Sequence, residues 1–205
     1  SSGLVRNIDR KFRAISKRIN SVKEFENELP ILEYIATKYP KTYEYIIQIF
    51  EEYGDYGKVK YFLREHLKHN ITISEKENLW IKLADICKYT EDWNGESHAL
   101  IELIQTPNVE LRIISDAANR INNHIYNDYD ARIDDYKGEM LAIIIKVFKS
   151  KTDECGATDL SRLGWLLLNN SDSEEAEKVV AKGLSIDPDN NYCQRLMERL
   201  NNTIR

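Results

Sequence analysis

Residues 157–190 read ATDLSRLGWLLLNNSDSEEAEKVVAKGLSIDPDN, and the spacing of apolar residues in this stretch decides the fold. Leu160, Leu163, Gly164 and Leu167 recur at intervals of three and four, which places them on one face of a helix. The polar run Asn169-Asn170-Ser171-Asp172 interrupts the pattern. Ala176, Val180 and Gly183 resume it on a second helix, and Pro188 closes the unit because its ring cannot continue one. Two helices joined by a turn are expected, with Gly164 and Ala176 small so that the helices approach closely.

The unit resembles the tetratricopeptide repeat, whose pattern of an aromatic, L-G, a second aromatic, A-x3-F and a late P spans about 34 residues. Here Leu replaces the two aromatics and Val replaces Phe. The resemblance implies an all-α fold: a right-handed superhelical α-solenoid of about five antiparallel helix pairs plus a C-terminal capping helix. It also implies a concave groove lined by the first helix of each pair.

Weaker copies run back along the chain. The landmark positions Phe12, Tyr43, Trp80, Ile114 and Leu160 lie 31, 37, 34 and 46 residues apart. The expected pairs span roughly 6–39, 41–70, 74–106, 108–150 and 157–187, with a cap at 190–202, all in a single domain over 6–205. Phe25, Leu29, Leu32, Ile35 and Ala36 mark a helix that holds Pro30 in its first turns. Gly54-Asp55-Tyr56 resembles the family's G-D-Y turn, although Ile47 and Val59 are bulkier than the usual small pair and predict a wider junction. Val59, Tyr61, Phe62, Leu63 and Leu67 form the return helix. Ser74 and Glu77 suggest a capping box. Trp80, Leu83, Ala84 and Cys87 follow the motif, Glu91-Asp92-Trp93 forms a turn expected to hold extra residues, and Ala84 with Ala99 should let two helices approach. Ile114, Ala117, Ala118 and Ile121 mark the fourth pair, and an acidic, Asn-rich insertion covers 127–135. Tyr192, Leu196, Met197 and Leu200 mark the cap that solenoids need.

Composition narrows the function classes. The chain has 205 residues, 42% of them hydrophobic, and a net charge of −5, so no global attraction to nucleic acid is expected. Only 8 Gly and 4 Pro disfavour a turn-dense β fold. Cys87, Cys155 and Cys193 form neither a disulfide framework nor a zinc spacing, which predicts a reducing, cytoplasmic setting. No apolar run reaches membrane-spanning length, and there is no signal peptide. Ser1-Ser2-Gly3-Leu4-Val5 resembles a tag remnant, so the natural sequence is expected to begin near Arg6, inside a helical pattern, as a fragment of a larger protein. The Ile-, Asn-, Lys- and Tyr-rich composition suggests an AT-rich, bacterial genome.

Chemistry-bearing constellations are sparse. His66 and His69 beside Glu65 suit the C-terminal end of a helix dipole better than a metal, because no further ligands follow. Asp128, Asp130, Asp134 and Asp135 lack the glycine and terminal glutamate of a calcium loop. Arg120 and His124 echo the R-x4-6-H signature of HEPN-type ribonucleases, but only three residues separate them. There is no phosphate loop, G-x-S-x-G or H-E-x-x-H. The expectation is therefore no catalytic residues, no metal and no cofactor.

What the resemblance does carry over is the groove. It places Arg13 and Lys17, Glu44 and Gln48, Lys82 and Asp85 along the groove. Arg112, Ser115, Asn119, Asn122 and Asn123 follow, then Ser161, Trp165 and Asn169. Asn amides can pair with a peptide backbone as both donor and acceptor. On that register Asn119→Ala with Asn122→Ala leaves stability almost unchanged, whereas Ala118→Leu destabilises. The Lys/Asn carboxylate constellation of chaperone-binding members is absent: Glu44, Tyr45 and Ile81 occupy its places.

The expected role is a protein- or peptide-binding scaffold or sensor module of a larger multidomain protein. The alternatives are a quorum-sensing type of signalling-peptide receptor, and a nucleic-acid-contacting arm. The last rests on Arg6, Arg10, Lys11, Arg13, Lys17, Arg18 and Lys23, set against Asp9 alone. That basic helix equally suits contact with a neighbouring domain. Partners are accordingly protein or peptide, with no membrane and with nucleic acid disfavoured.

Overall fold

The computed structural model describes residues 22–126 and 134–203. Arg13, Lys17 and the rest of the basic first helix, the residues read as a tag remnant, and Asp128 and Asp130 lie outside the described residues. Ten helices and no strand occur among the described residues: α1 (Val22–Lys38), α2 (Thr42–Glu52), α3 (Tyr56–Leu67), α4 (Ile73–Tyr89), α5 (Trp93–Ile104), α6 (Leu111–Tyr126), α7 (Asp134–Lys149), α8 (Ala157–Asn169), α9 (Ser173–Ile186) and α10 (Asn191–Thr203). The chain is all-α. It divides into two compact units, residues 1–79 and 80–205, with the division inside α4. No described helix is long and apolar enough to cross a membrane.

One connector recurs at three places. Between α2 and α3, α4 and α5, and α8 and α9, three residues end in an aspartate: Asp55, Asp92 or Asp172. Its backbone amide reaches back to the carbonyl five residues earlier (Phe50, Cys87, Leu167) at 2.9, 2.8 and 2.9 Å. The residue before it has left-handed φ: Gly54 at 73°, Glu91 at 54° and Ser171 at 63°. That residue's amide bonds to Glu51, Lys88 or Leu168, completing a Schellman-type closure of the outgoing helix. The aspartate carboxylate then accepts from the amide of Lys58, Gly95 or Glu175 and caps the incoming helix. All three connectors have one length, so the Glu91-Asp92-Trp93 turn holds no extra residues.

The start of α4 also differs from expectation. The capping box is Thr72 with Glu75, not Ser74 with Glu77: Glu75 donates its amide to Thr72 Oγ1 at 3.2 Å, and Thr72 donates its amide to Glu75 Oε2 at 2.9 Å. The sequence TISE satisfies the same spacing rule two residues earlier than SEKE. Pro30 falls well inside α1 rather than in its first turns, on the exposed side. There the carbonyl left without an amide donor can face water.

In the first unit, Phe25, Phe50 and Phe62 form an aromatic column with centroid separations of 5.2 and 5.6 Å. Ile47 and Val59 are both buried, and α2 packs against α3 with their bulky side chains enclosed. Tyr61, on the return helix α3, is half exposed. His66 lies in the last turn of α3, at the helix C-terminal end as expected, and is buried there. Its ring lies 5.5 Å from that of Tyr43, and burial pushes its pKa down, with His69 adding to the effect and Glu75 opposing it.

In the second unit, α8 and α9 make the closest pairing, and α10 packs across both. A Cβ on Gly164 would lie 2.6 Å from Leu196 Cδ2 but 3.7 Å from the Ala176 carbonyl. The need for a small residue there comes more from α10 than from the α9 partner. Gly183 is similar: its Cβ would meet Cys193 Sγ at 2.7 Å. Ala84 and Ala99 are fully buried, yet α4 and α5 are not among the closely packed helix pairs. The three cysteines are buried and not bonded to one another.

Candidate functional site

The site assembles in the second unit from the polar faces of three helices. On α6, Ile114, Ala117, Ala118 and Ile121 are buried, which turns Asn119, Asn122 and Asn123 outward. On α8, Leu160, Leu163, Gly164 and Leu167 take the core side, leaving Arg162, Trp165 and Asn169 opposite. On α10, Cys193, Leu196 and Leu200 are buried, while Tyr192, Arg195, Glu198, Arg199 and Asn202 are exposed. These outward faces bound an open groove of about 1130 Å³.

The wall between α6 and α8 is held by side chains. Asn169 Nδ2 donates to Asn122 Oδ1 at 3.1 Å, and Asn122 Nδ2 donates to the Arg162 carbonyl at 3.0 Å. Two turns earlier on α6, Ser115 Oγ donates to Asp159 Oδ1 at 2.5 Å and accepts from Arg162 Nη1 at 2.7 Å. Asp159 accepts the Gly156 amide with its other oxygen at 3.1 Å, so the same carboxylate starts α8 and joins it to α6.

The sequence-derived residues separate accordingly. Asn119, Asn122, Asn123, Ser161, Trp165 and Asn169 come together along the groove. Ser115 is a buried bridge instead of a groove residue, because its hydroxyl is enclosed between Asp159 and Arg162. Arg112 is exposed but does not line the groove. Glu44 and Gln48 belong to the first unit, where Gln48 Nε2 donates to Glu52 at 3.1 Å. Lys82 and Asp85 lie on α4 outside the groove lining, and Asp85 accepts from Arg120 Nη1 at 2.9 Å. The arginines of the groove, Arg162, Arg195 and Arg199, were absent from the sequence expectation. The signal was available: Arg195 and Arg199, four apart, sit opposite the buried Cys193, Leu196 and Leu200 stripe. Tyr192 is 58% exposed and lines the groove rather than packing in the cap.

A second polar cluster lies on α5 and α6. Glu96 is fully enclosed, with Arg120 Nε at 2.5 Å and His124 Nε2 at 3.0 Å. The His124 contact is close enough for an ion pair but lacks the alignment of a hydrogen bond. Burial alone would push Glu96 up and Arg120 down. His124 and Arg120 outweigh it for the carboxylate, and Glu96 and Asp85 outweigh it for the guanidinium, so both stay charged. Arg120 and His124 are thus turned onto a buried carboxylate and do not line the groove. The sequence carried one hint: Glu96 falls on the apolar stripe with Ala99, Leu100 and Leu103, where a charge needs a partner. No group of three or more His, Cys, Asp or Glu among the described residues could hold a metal ion. Set against protein-family models and curated proteins, the sequence finds no match.

Proposed function

We propose that the chain is a protein- or peptide-binding module, a tetratricopeptide-like helical-repeat array of the α-solenoid type, with its binding surface in the groove along α6, α8 and α10. The observation that carries this reading is the groove itself: outward Asn, Arg and aromatic side chains from three helices border one open space large enough for several residues of extended chain. The threefold connector supports a repeat origin, because the same closure and cap recur at Asp55, Asp92 and Asp172. A short free peptide would make the module a signalling-peptide receptor; a segment of a larger protein would make it a scaffold.

Selection from a displayed library of random peptides tests the reading. The expected result is a family of binders whose capture is lost in Asn123→Trp, which fills the groove from an exposed position. A library that yields no binder, or binders indifferent to this variant, contradicts it.

A further inference from the structure

We infer that the groove, if it takes a peptide as proposed above, selects an extended segment rich in acidic side chains. The chain as a whole is acidic, with a net charge of −5, yet this groove reverses the sign: among the described residues that line it, Arg162, Arg195 and Arg199 stand with the one carboxylate of Glu198. Arg195 is exposed and forms no ion pair with a described residue, so its guanidinium is presented to whatever enters. Arg162 spends Nη1 on Ser115, which orients the planar fork and leaves further N–H groups for a second acceptor. Guanidinium forks match carboxylates in a bidentate manner, and such charge-assisted bonds are about twice as strong as neutral ones.

The remaining lining discriminates between two polyanions. Asn119, Asn123 and Asn202 make no hydrogen bond to the described residues. Each offers a donor and an acceptor, which suits a peptide backbone that alternates the two. A phosphodiester offers acceptors only, so each Asn carbonyl would lose water without gaining a partner. Glu198 sits between the arginines of α10 and would repel a continuous row of phosphates, whereas separate carboxylates can step past it. Trp165 and Tyr192 supply apolar area between the charged points.

The test compares the composition of peptides selected from one random library by the wild-type chain and by Arg195→Glu, Arg199→Glu. Both side chains are exposed, and matching thermal melts establish that the variant is folded. Wild type should enrich Asp and Glu over the input. The variant should lose that enrichment and bind the selected peptides at least about tenfold more weakly, the equivalent of one charge-assisted pair. Neutral or basic wild-type binders that still depend on Asn123 overturn the acidic preference and leave the peptide groove standing. An absence of any binder overturns both. A single-stranded DNA ten-mer that displaces the peptides at lower concentration than they displace one another overturns the assignment in favour of nucleic acid.

Discussion

Asn169 on α8 donates to Asn122 on α6 at 3.1 Å, and Asn122 passes the link on to the Arg162 carbonyl at 3.0 Å. The asparagines of α6 therefore have two jobs. Asn122 joins two helices, while Asn119 and Asn123 face the groove without a described partner.

Asn122→Ala should cost about 1–2 kcal/mol, since it removes two partly buried hydrogen bonds. Asn123→Ala should stay within about 0.5 kcal/mol. Urea unfolding of the two variants measures the difference. The expectation from sequence that Asn119→Ala with Asn122→Ala is silent thus fails at Asn122, because a partner 47 residues away on another helix cannot be read from local spacing.

Glu96→Ala should be among the most destabilising single changes, by about 3–5 kcal/mol, because it leaves the Arg120 guanidinium partly buried without its main counter-charge. Glu96→Leu should cost nearly as much as Glu96→Ala, because refilling the space still leaves the guanidinium stranded. Equal losses in both variants assign the effect to the stranded arginine. Denaturant titration separates the cases.

Stability should fall as the medium is acidified through two windows. The His66 pKa is lowered in the folded chain, so the unfolded chain takes up the proton first and stability drops once pH passes below about 6.5. The Glu96 pKa is lowered as well, so its contribution is full above about 4.3 and is lost as pH falls further. His66→Phe should flatten the upper window, since the ring keeps its stacking on Tyr43 and Nδ1 has no described partner to lose. Thermal melts between pH 7.5 and pH 5 read this out, a scale set by the reference histidine value of about 6.5.

Ser171→Gly and Glu91→Gly should each raise stability by up to about 1 kcal/mol, because both residues occupy the left-handed region that costs a side chain about 1–2 kcal/mol. Gly54→Ala, at the equivalent connector position, should lower it by a similar amount. The pattern of two gains and one loss follows from the left-handed φ that the three positions share, and differential scanning calorimetry on the three variants tests it.

Helix positions, the buried faces of α6 and α8, and most of the groove asparagines were legible from apolar periodicity, which is a local property of the chain. The register of the α4 cap was not, because TISE and SEKE both satisfy the rule and only the helix start decides between them. The α10 contribution was missed for a different reason. A terminal helix reads as a lid over Gly164 and Gly183, and its opposite face gains meaning only when α6 and α8 are placed beside it. Glu96 belongs to the same class: its partners lie 24 and 28 residues on, at Arg120 and His124.

The binding surface itself is tested most directly by two-dimensional amide and indole NMR of the chain titrated with a peptide selected from the library. The Trp165 indole signal and the amides of Asn119, Asn123 and Arg195 should shift together, saturating at one stoichiometric equivalent. Shifts confined to α1, α2 and α3, with the α6, α8 and α10 signals unmoved, would contradict it.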